Sequence, residues 1–422
     1  MKNKVLFFLI PILLLGICVF ALLPLFHAGL FSMHDDEQVA RLQQMYLVLS
    51  QGQLPPRWIP DLGFGFGYPL FNFYPPLVYY VGSFIHLFGF SFVNSTKIVF
   101  GLGFVFAALA MFLWVRKHYG IIPGLFAAIL YTYAPYHSVD IYVRGALSEF
   151  FSWIFIPLIL LVIDLLFEKR EKKYSILLGI FFGLLMLSHT LVMLQFGPLL
   201  LVYLGFSFLQ KKNRTINVVM QLLLGFGLGL GLTAYFWLPS ILEKQYTLVD
   251  AILTKELASY AIHFVCPIQL WSGIWGYGGS AAGCLDGLSF QIGKVQAFVG
   301  GLGIVLSVLF LFKRRLLVST SNAVLFICSI FLVLPYSKFL WDIAMPFWYI
   351  QFPWRYLLFV AVFSAFLGGF VLSMVEKRFG KFIAIILGLV LSLVAVFQVR
   401  NYFQPQAYRM ITDAQMTSKD EL

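Results

Sequence analysis

Apolar runs long enough to cross a lipid bilayer recur along the whole of this chain, and they constrain its fold more than any other feature. A transmembrane helix needs about 20 mostly apolar residues, whereas the strands of a membrane β-barrel alternate apolar and polar residues in segments of about ten. Hydrophobic residues make up 61% of the chain and charged residues 11%, against about 45–50% and about 25% in soluble domains. The sequence therefore predicts an all-α polytopic membrane protein whose helices form one bundle.

The net charge of +11 comes from basic residues that gather in short clusters between apolar runs. Cytoplasmic loops of membrane proteins are rich in lysine and arginine, so the clusters orient the chain and do not indicate a nucleic-acid partner. We expect a multi-pass protein of the plasma (cell inner) membrane with its N-terminus in the cytoplasm. The clusters are Lys2/Lys4, Arg116/Lys117, Glu168–Lys173, Lys211/Lys212/Arg214, Lys313/Arg314/Arg315 and Lys377/Arg378/Lys381.

The clusters and the apolar runs together predict about eleven spans. A further run, Leu77–Phe92, would put Lys4 and Arg116 on opposite faces if it crossed the membrane. Because it is short and rich in aromatic residues, we expect it to lie in the membrane interface. The C-terminus is then outside. The predicted spans are Val5–Leu25, Ile98–Val115, Ile121–Tyr136, Phe150–Phe167, Ser175–Ser188, Leu191–Leu209, Ile216–Pro239, Val295–Phe312, Val324–Tyr336, Tyr356–Val375 and Phe382–Val399.

This topology divides the chain into a transmembrane bundle, residues 1–399, and an external tail, residues 400–422. The three larger external loops of the bundle are predicted at residues 26–97, 137–149 and 241–294, the first containing interfacial helices. Cys266 and Cys284 share the third loop, where thiols meet an oxidising compartment. We therefore expect a disulfide between them.

His34-Asp35-Asp36-Glu37 follows the first span and is the first of three polar clusters. Adjacent carboxylates repel one another, which favours a nearby cation or metal ion. In one interpretation Asp35 or Asp36 caps an interfacial helix, with Glu37 in its first turn. In the other, one of the three carboxylates is a general base or a metal ligand.

The second cluster lies in the loop at residues 137–149 and contains Asp140, Arg144 and Glu149. It forms either a salt bridge at the membrane rim or a binding site. In the second case Arg144 binds a phosphate, because a guanidinium group can donate two parallel hydrogen bonds to two phosphate oxygens. Asp140 and Asp36 would then hold a divalent cation, Mg²⁺ or Mn²⁺.

The third cluster is Gln351-Phe352-Pro353-Trp354-Arg355, directly before a span. Arg355 either extends toward the interface or faces the bundle and binds an anion. Arg57 and His189 are further candidates for substrate binding, although a histidine between two spans is more often an interhelical hydrogen-bonding residue. The clusters are predicted to meet at the outer membrane face, where a lipid-linked phosphate would be accessible.

At these residues the chain resembles the GT-C class of glycosyltransferases. More narrowly, it is similar to prokaryotic membrane proteins labelled 6-pyruvoyl-tetrahydropterin-synthase-related, which are akin to the YfhO-like family. The matching stretches include His34–Glu37, Arg57-Trp58, Tyr68–Leu70, Tyr74–Pro76, Tyr142–Ala146, Leu187–His189, Phe236–Pro239 and Phe352–Arg355.

The resemblance implies an inverting transfer of sugar from a polyprenyl-phosphate donor to a glycan, lipid or protein acceptor at the outer face. Under it, Asp35 or Asp36 is the base that activates the acceptor, and Arg144 or Arg355 holds the donor phosphate. Many members carry a large external C-terminal domain, whereas this sequence stops soon after the last predicted span. The alternatives are a transporter or flippase of lipid-linked glycans and a non-catalytic membrane protein.

Overall fold

The computed structural model describes residues 2–210, 216–253, 259–309 and 317–416. It is 75% helical with almost no sheet, so the predicted all-α fold is confirmed. The basic clusters at 211–214 and 313–315 and the last six residues of the tail lie outside the described residues.

Each predicted span falls on a helix, but the helices differ in length. Among the described residues, five helices are long and apolar enough to cross a membrane, and the count rises to seven if each of two bent helix pairs forms one span. The number of eleven spans therefore stays a prediction. The five are Phe92–Tyr119, Leu147–Lys169, Thr190–Leu209, Pro353–Phe379 and Lys381–Val399. The bent pairs are Ile216–Leu232 with Ala234–Tyr246, at 70°, and Leu317–Val333 with Pro335–Ile343, at 90°.

Shorter helices complete the bundle and build its external side. The helix Lys172–Ser188 begins within the basic cluster Glu168–Lys173. The shorter apolar helices are Ile10–Phe26, Leu77–His86, Ile121–Thr132 and Lys294–Leu309. The other external helices include Gln38–Ser50, Leu70–Phe73, Pro135–Ser138, Val249–Leu253, Tyr260–Ile262, Pro267–Trp271, Ala282–Cys284, Met345–Trp348 and Asp413–Met416. The helix Leu357–Phe379 lies at the centre of the bundle, because its residues are buried from Leu357 to Ser373.

The first external loop contains a helix that is too short to cross the membrane. Leu77–His86 has ten residues, or about 15 Å of helix, against about 30 Å of hydrocarbon. It packs against the helices Gln38–Ser50 and Phe92–Tyr119. The predicted end of this loop at residue 97 stays a prediction, and the next helix begins at Phe92. Ser91 caps that helix by accepting a hydrogen bond from the backbone of Asn94.

The second external loop is deeply buried rather than exposed at the membrane rim. After the short helix Pro135–Ser138 the chain forms a π-helical turn, Val139–Val143, and the next helix begins at Leu147. Every residue from 133 to 157 is buried. Its charged side chains must therefore find partners inside the protein.

The chain after the last span folds back onto the first external loop. Strand Tyr408–Arg409 pairs antiparallel with strand Leu30–Phe31, with Leu30 opposite Arg409. The carboxylate of Asp413 accepts hydrogen bonds from the first backbone N–H groups of the helix Phe92–Tyr119. The described part of the tail is thus held against the strand Leu30–Phe31 and the start of the helix Phe92–Tyr119.

Candidate functional site

The first and second acidic clusters are joined through their backbones. The N–H of His34 donates to the carbonyl of Val143 over 3.0 Å, and the N–H of Asp35 donates to that of Arg144 over 2.8 Å. Two segments that are about a hundred residues apart in sequence therefore lie side by side.

A glycine makes this close approach possible. A Cβ on Gly145 would lie 2.2 Å from the sulfur of Met33, so no side chain fits at this position. The side chain of Gln38 donates to the Gly145 carbonyl over 3.0 Å and accepts from the hydroxyl of Tyr79. Any larger residue would push the two segments apart.

The φ of Gly145 is +64°, which lies in the left-handed region that glycine adopts without strain.

The carboxylates and one arginine of the second cluster form a buried ion network. Arg144 contacts Asp140 directly and Glu149 over 2.9 Å. The hydroxyl of Tyr136 donates to Glu149 over 2.7 Å, and the indole N–H of Trp153 donates to Asp140 over 3.0 Å. The predicted salt bridge from Arg144 to Glu149 is present, but it lies inside the protein.

Arg355 completes this network from the other side of the bundle. Its Nε lies 3.2 Å from Glu149, and its Nη1 donates to the carbonyl of Ile350 over 3.0 Å. The guanidinium of Arg144 stacks on the ring of Trp354, 4.8 Å from its centroid. Arg355 therefore faces the bundle and does not extend along the interface.

Burial sets the electrostatics of the network. Asp140 is 0% exposed, Glu149 1%, and Arg144 and Arg355 8% each. Burial raises the pKa of Asp140 well above its usual range, the charge of Glu149 adds to this rise, and Arg144 opposes it.

Both arginines line a cavity of about 340 Å³. The acidic cluster and the third external loop form its other walls. The lining residues are His34, Asp35, Arg144, His263, Gly279, Ser280, Leu288, Phe352, Trp354 and Arg355.

The three carboxylates of the first cluster have different surroundings. Asp35 lines the cavity, and its carboxylate has no hydrogen bond or ion pair among the described residues. Asp36 lies 3.8 Å from Arg409, and Glu37 pairs with Arg41 over 2.6 Å. The capping prediction for Asp35 and Asp36 was wrong, because Glu37 is the N-cap residue and its side chain makes no capping hydrogen bond.

His189 lies beside the network but not in the lining of the cavity. Its Nδ1 accepts from the backbone N–H of Val192 over 3.1 Å, and the preceding Ser188 donates to the carbonyl of Ser148. Burial lowers the pKa of His189 to about 3, although the charge of Glu149 opposes this. The ring is neutral at physiological pH, and its proton is on Nε2.

Two other predicted residues lie away from the cavity. Arg57 donates to Asn72 over 2.5 Å and to the carbonyl of Tyr235 over 3.3 Å. Asn72 in turn donates to Glu243, so Arg57 belongs to a separate polar cluster. Gln351 adopts a φ of +62° in the turn before Phe352 and is not a lining residue.

The third external loop forms one wall of the cavity. His263 contacts Ser280 over 2.9 Å, and the Ser280 hydroxyl donates to Asp286 over 2.9 Å. The structure pairs Cys266 with Cys284 in a disulfide, with Cα atoms 5.8 Å apart.

The two carboxylates predicted to hold a metal ion are engaged with cations. Asp36 faces Arg409, and Asp140 accepts from Arg144 and Trp153. Within the described residues no group of three His, Cys, Asp or Glu side chains could hold a metal ion. The Mg²⁺ or Mn²⁺ site stays a prediction.

A known family of membrane proteins matches most of this chain. A family model described as a 6-pyruvoyl-tetrahydropterin synthase related domain of membrane proteins matches residues 71–402. The chain belongs to this family. An uncharacterized protein of Lactococcus lactis subsp. cremoris (strain MG1363) is 28% identical to this chain over 242 residues. That match covers 54% of this chain and 38% of the relative, so the chain spans well under half of its length.

Two solved structures of membrane enzymes share the fold. The oligosaccharyltransferase AglB of Archaeoglobus fulgidus, in complex with an inhibitory peptide and a dolichol-phosphate, matches with a TM-score of 0.59 over 96% of this chain and 55% of that chain. ArnT of Cupriavidus metallidurans, bound to undecaprenyl phosphate, matches with a TM-score of 0.52 over 92% of this chain and 64% of that chain. Identity is 14% in both cases, so the likeness concerns the fold. The predicted resemblance to the GT-C class is confirmed at that level.

The cavity combines an anion-binding wall with a carboxylate that can accept a proton. Two guanidinium groups can bind a phosphate, and Asp35 faces the same space. Sequence reasoning missed His263 and Ser280, because no motif connects them to the acidic clusters. The sequence identified Phe352 and Trp354 only as neighbours of Arg355. Only the fold shows that these two residues line the cavity.

Proposed function

We propose that this family member is a glycosyltransferase that takes a sugar from a polyprenyl-phosphate donor at the outer face of the membrane. One observation carries the proposal: Asp35, a carboxylate without a partner among the described residues, shares a cavity with Arg144 and Arg355. The polyprenyl phosphates bound by AglB and ArnT, proteins of the same fold, support the choice of donor.

In this mechanism the two arginines bind the donor phosphate. Asp140 and Glu149 fix the guanidinium groups, so that their free N–H groups face the cavity. Asp35 accepts the proton of the acceptor hydroxyl as its oxygen attacks the sugar C1. The bond from C1 to the phosphate oxygen breaks, and its electron pair leaves with the phosphate, whose charge the arginines stabilise. Attack opposite the leaving group inverts the anomeric centre. The acceptor is a glycan, a lipid or a protein.

The test uses the full chain in lipid nanodiscs with radiolabelled undecaprenyl-phosphate hexoses, and measures the loss of sugar from the lipid. Asp35→Asn is expected to lower turnover by about 100-fold or more, because a positioned base contributes about 10²–10⁴. Binding of undecaprenyl phosphate should change little, since the arginines remain.

Asp36→Asn is the matched contrast, because its carboxylate faces Arg409 and not the cavity. We expect it to lose far less than Asp35→Asn. Equal losses in the two variants, or full turnover in Asp35→Asn, would refute the assignment of Asp35 as the base.

A transporter of lipid-linked sugars is the second candidate, and the two bent helix pairs favour it. Broken helices are common at the substrate sites of transporters. The same preparation in sealed vesicles separates the two functions. A transporter would move the lipid across the bilayer and leave its sugar attached, whereas a transferase would release the sugar from the lipid.

A further inference from the structure

A second cavity, which shares no lining residue with the first, is built mainly by the helices Ile10–Phe26 and Phe92–Tyr119. Its volume is about 400 Å³, against about 30 Å³ for one water molecule in the liquid. Apart from Asn94 and Lys97, every residue that lines it is apolar. The proposed glycosyl transfer gives this groove no role.

A glycine keeps the groove open between the two helices. A Cβ on Gly101 would lie 3.7 Å from the side chain of Leu22 and 3.8 Å from that of Leu25, which are ordinary van der Waals distances. The packing of the helices therefore does not require a glycine at this position. The missing side chain adds to the width of the groove, although glycine destabilises the interior of a helix relative to alanine.

Lys97 brings a positive charge into the groove. The residue is 8% exposed, and its ammonium group donates to the carbonyl of His27 over 2.7 Å and to that of Gly29 over 3.1 Å. No carboxylate among the described residues forms an ion pair with it. Carbonyl dipoles at the end of a helix compensate a full charge only in part, and a buried charge without a counter-ion is costly.

The polar groups of the groove suit an anion. An ammonium group has three N–H donors, and the two carbonyls use two of those on Lys97. Asn94 precedes Lys97 by three residues, so the two side chains are neighbours on one face of the helix, and the exposed amide of Asn94 also lines the groove. A phosphate oxygen would accept from both residues.

We propose that this groove binds an anionic phospholipid, with its phosphate on Lys97 and one acyl chain along Leu22, Leu25 and Gly101. A free phosphate ion would leave the apolar walls uncovered, and an uncharged lipid would leave Lys97 without a counter-ion. A phospholipid satisfies both parts of the groove. The proposal requires only that the chain lies in a membrane, and it is independent of the proposed function.

The test uses the full chain in nanodiscs of phosphatidylcholine with a trace of phosphatidylglycerol that carries a photoactivatable diazirine on one acyl chain. Mass spectrometry of peptides after illumination measures the label on residues 22–26 and 90–105. Unlabelled phosphatidylglycerol should displace this label. Diacylglycerol with the same chains should be about a tenfold weaker competitor, because it lacks the phosphate that Lys97 binds. Inorganic phosphate should not compete, because it lacks the chain.

Two variants test the two parts of the groove. Lys97→Met removes the charge, so the label should fall about tenfold and the two lipids should compete equally. Gly101→Leu fills the groove and leaves Lys97 with its carbonyl partners, so it tests the proposal even if Lys97→Met fails to fold. Its label should fall by a similar factor. Gly205→Leu is the matched control, because Gly205 is exposed on another helix with open space around it, and the label should persist.

Three outcomes would overturn the proposal. Equal competition by diacylglycerol and phosphatidylglycerol on the wild type would reduce the groove to an apolar surface in contact with bulk lipid. Displacement of the label by inorganic phosphate would indicate a site for a free anion. Labelling of Gly101→Leu at the wild-type level would show that the chain lies elsewhere. None of these results bears on the transfer of sugar, which the turnover of Asp35→Asn tests separately.

Discussion

Asp35 and Asp36 are neighbours in the sequence, but their carboxylates point into different surroundings. Asp35 lines the cavity, whereas Asp36 lies near Arg409 at the surface. Adjacent residues rarely share one face of a folded segment, so the pattern of three acids could not say which one faces a substrate. The backbone contact of Asp35 with Arg144 decides it.

Glu149 stabilises the fold at the residue scale, because it pairs with two buried arginines. Glu149→Gln would leave Arg144 and Arg355 without this charged partner, at a cost of about 3–5 kcal/mol. We expect a clear fall in the thermal unfolding temperature in detergent. Glu37→Gln is the matched control, since the exposed pair with Arg41 is worth about 0.3–0.5 kcal/mol. Equal shifts in the two variants would contradict the role of the buried network.

At the scale of elements, the tail after the last span ties three external segments together. Its strand Tyr408–Arg409 pairs with the strand before the acidic cluster, and Asp413 caps the helix Phe92–Tyr119. The ring of Tyr402 stacks on Trp275 of the third loop at 4.2 Å. The described tail therefore helps to position two walls of the cavity.

Removing the Asp413 carboxylate, which caps the helix Phe92–Tyr119, should weaken the attachment of the tail to this helix. Asp413→Ala is expected to destabilise the helix by about 0.5–2 kcal/mol and to speed tryptic cleavage after Arg409, which limited proteolysis measures. Ser91→Ala removes the other cap of the same helix and leaves the tail contacts in place. If both variants are cleaved at the wild-type rate, the tail is not held by Asp413.

At the scale of the whole molecule, residues of the three predicted external loops line one shared cavity, and the proposed function requires those loops to lie on one face of the membrane. Ser50 and Ser272 are exposed on the first and third loops, and Lys173 and Lys377 are exposed at the predicted cytoplasmic ends of the helices. Ser138, in the second loop, is buried and unsuitable for labelling.

Single cysteines at these four positions test the topology in a background without Cys18 and Cys328. An impermeant thiol reagent should label the cysteines at Ser50 and Ser272 in intact cells. It should label those at Lys173 and Lys377 only after the membrane is made permeable. Labelling of Ser50 and Ser272 from opposite sides would exclude a shared cavity and the proposed function with it.

The sequence by itself determined the helical membrane fold, its helices and the charged clusters that matter. Each membrane span must itself be long and apolar enough to cross the bilayer, and basic residues gather in the loops between spans. Both features can therefore be recognised in each segment of the sequence separately. The family resemblance also followed from short local motifs.

Only the tertiary structure decided which charged side chains meet. Arg355 joins Arg144 and Glu149 from a distant segment, and His263 lies in the same cavity wall from a loop that has no motif in common with them. Such contacts depend on how helices and loops pack. An ion pair between distant segments, such as Arg355 with Glu149, has no characteristic residue spacing by which the sequence could predict it. For the same reason Arg57, which shares a family motif, lies in a separate cluster with Asn72.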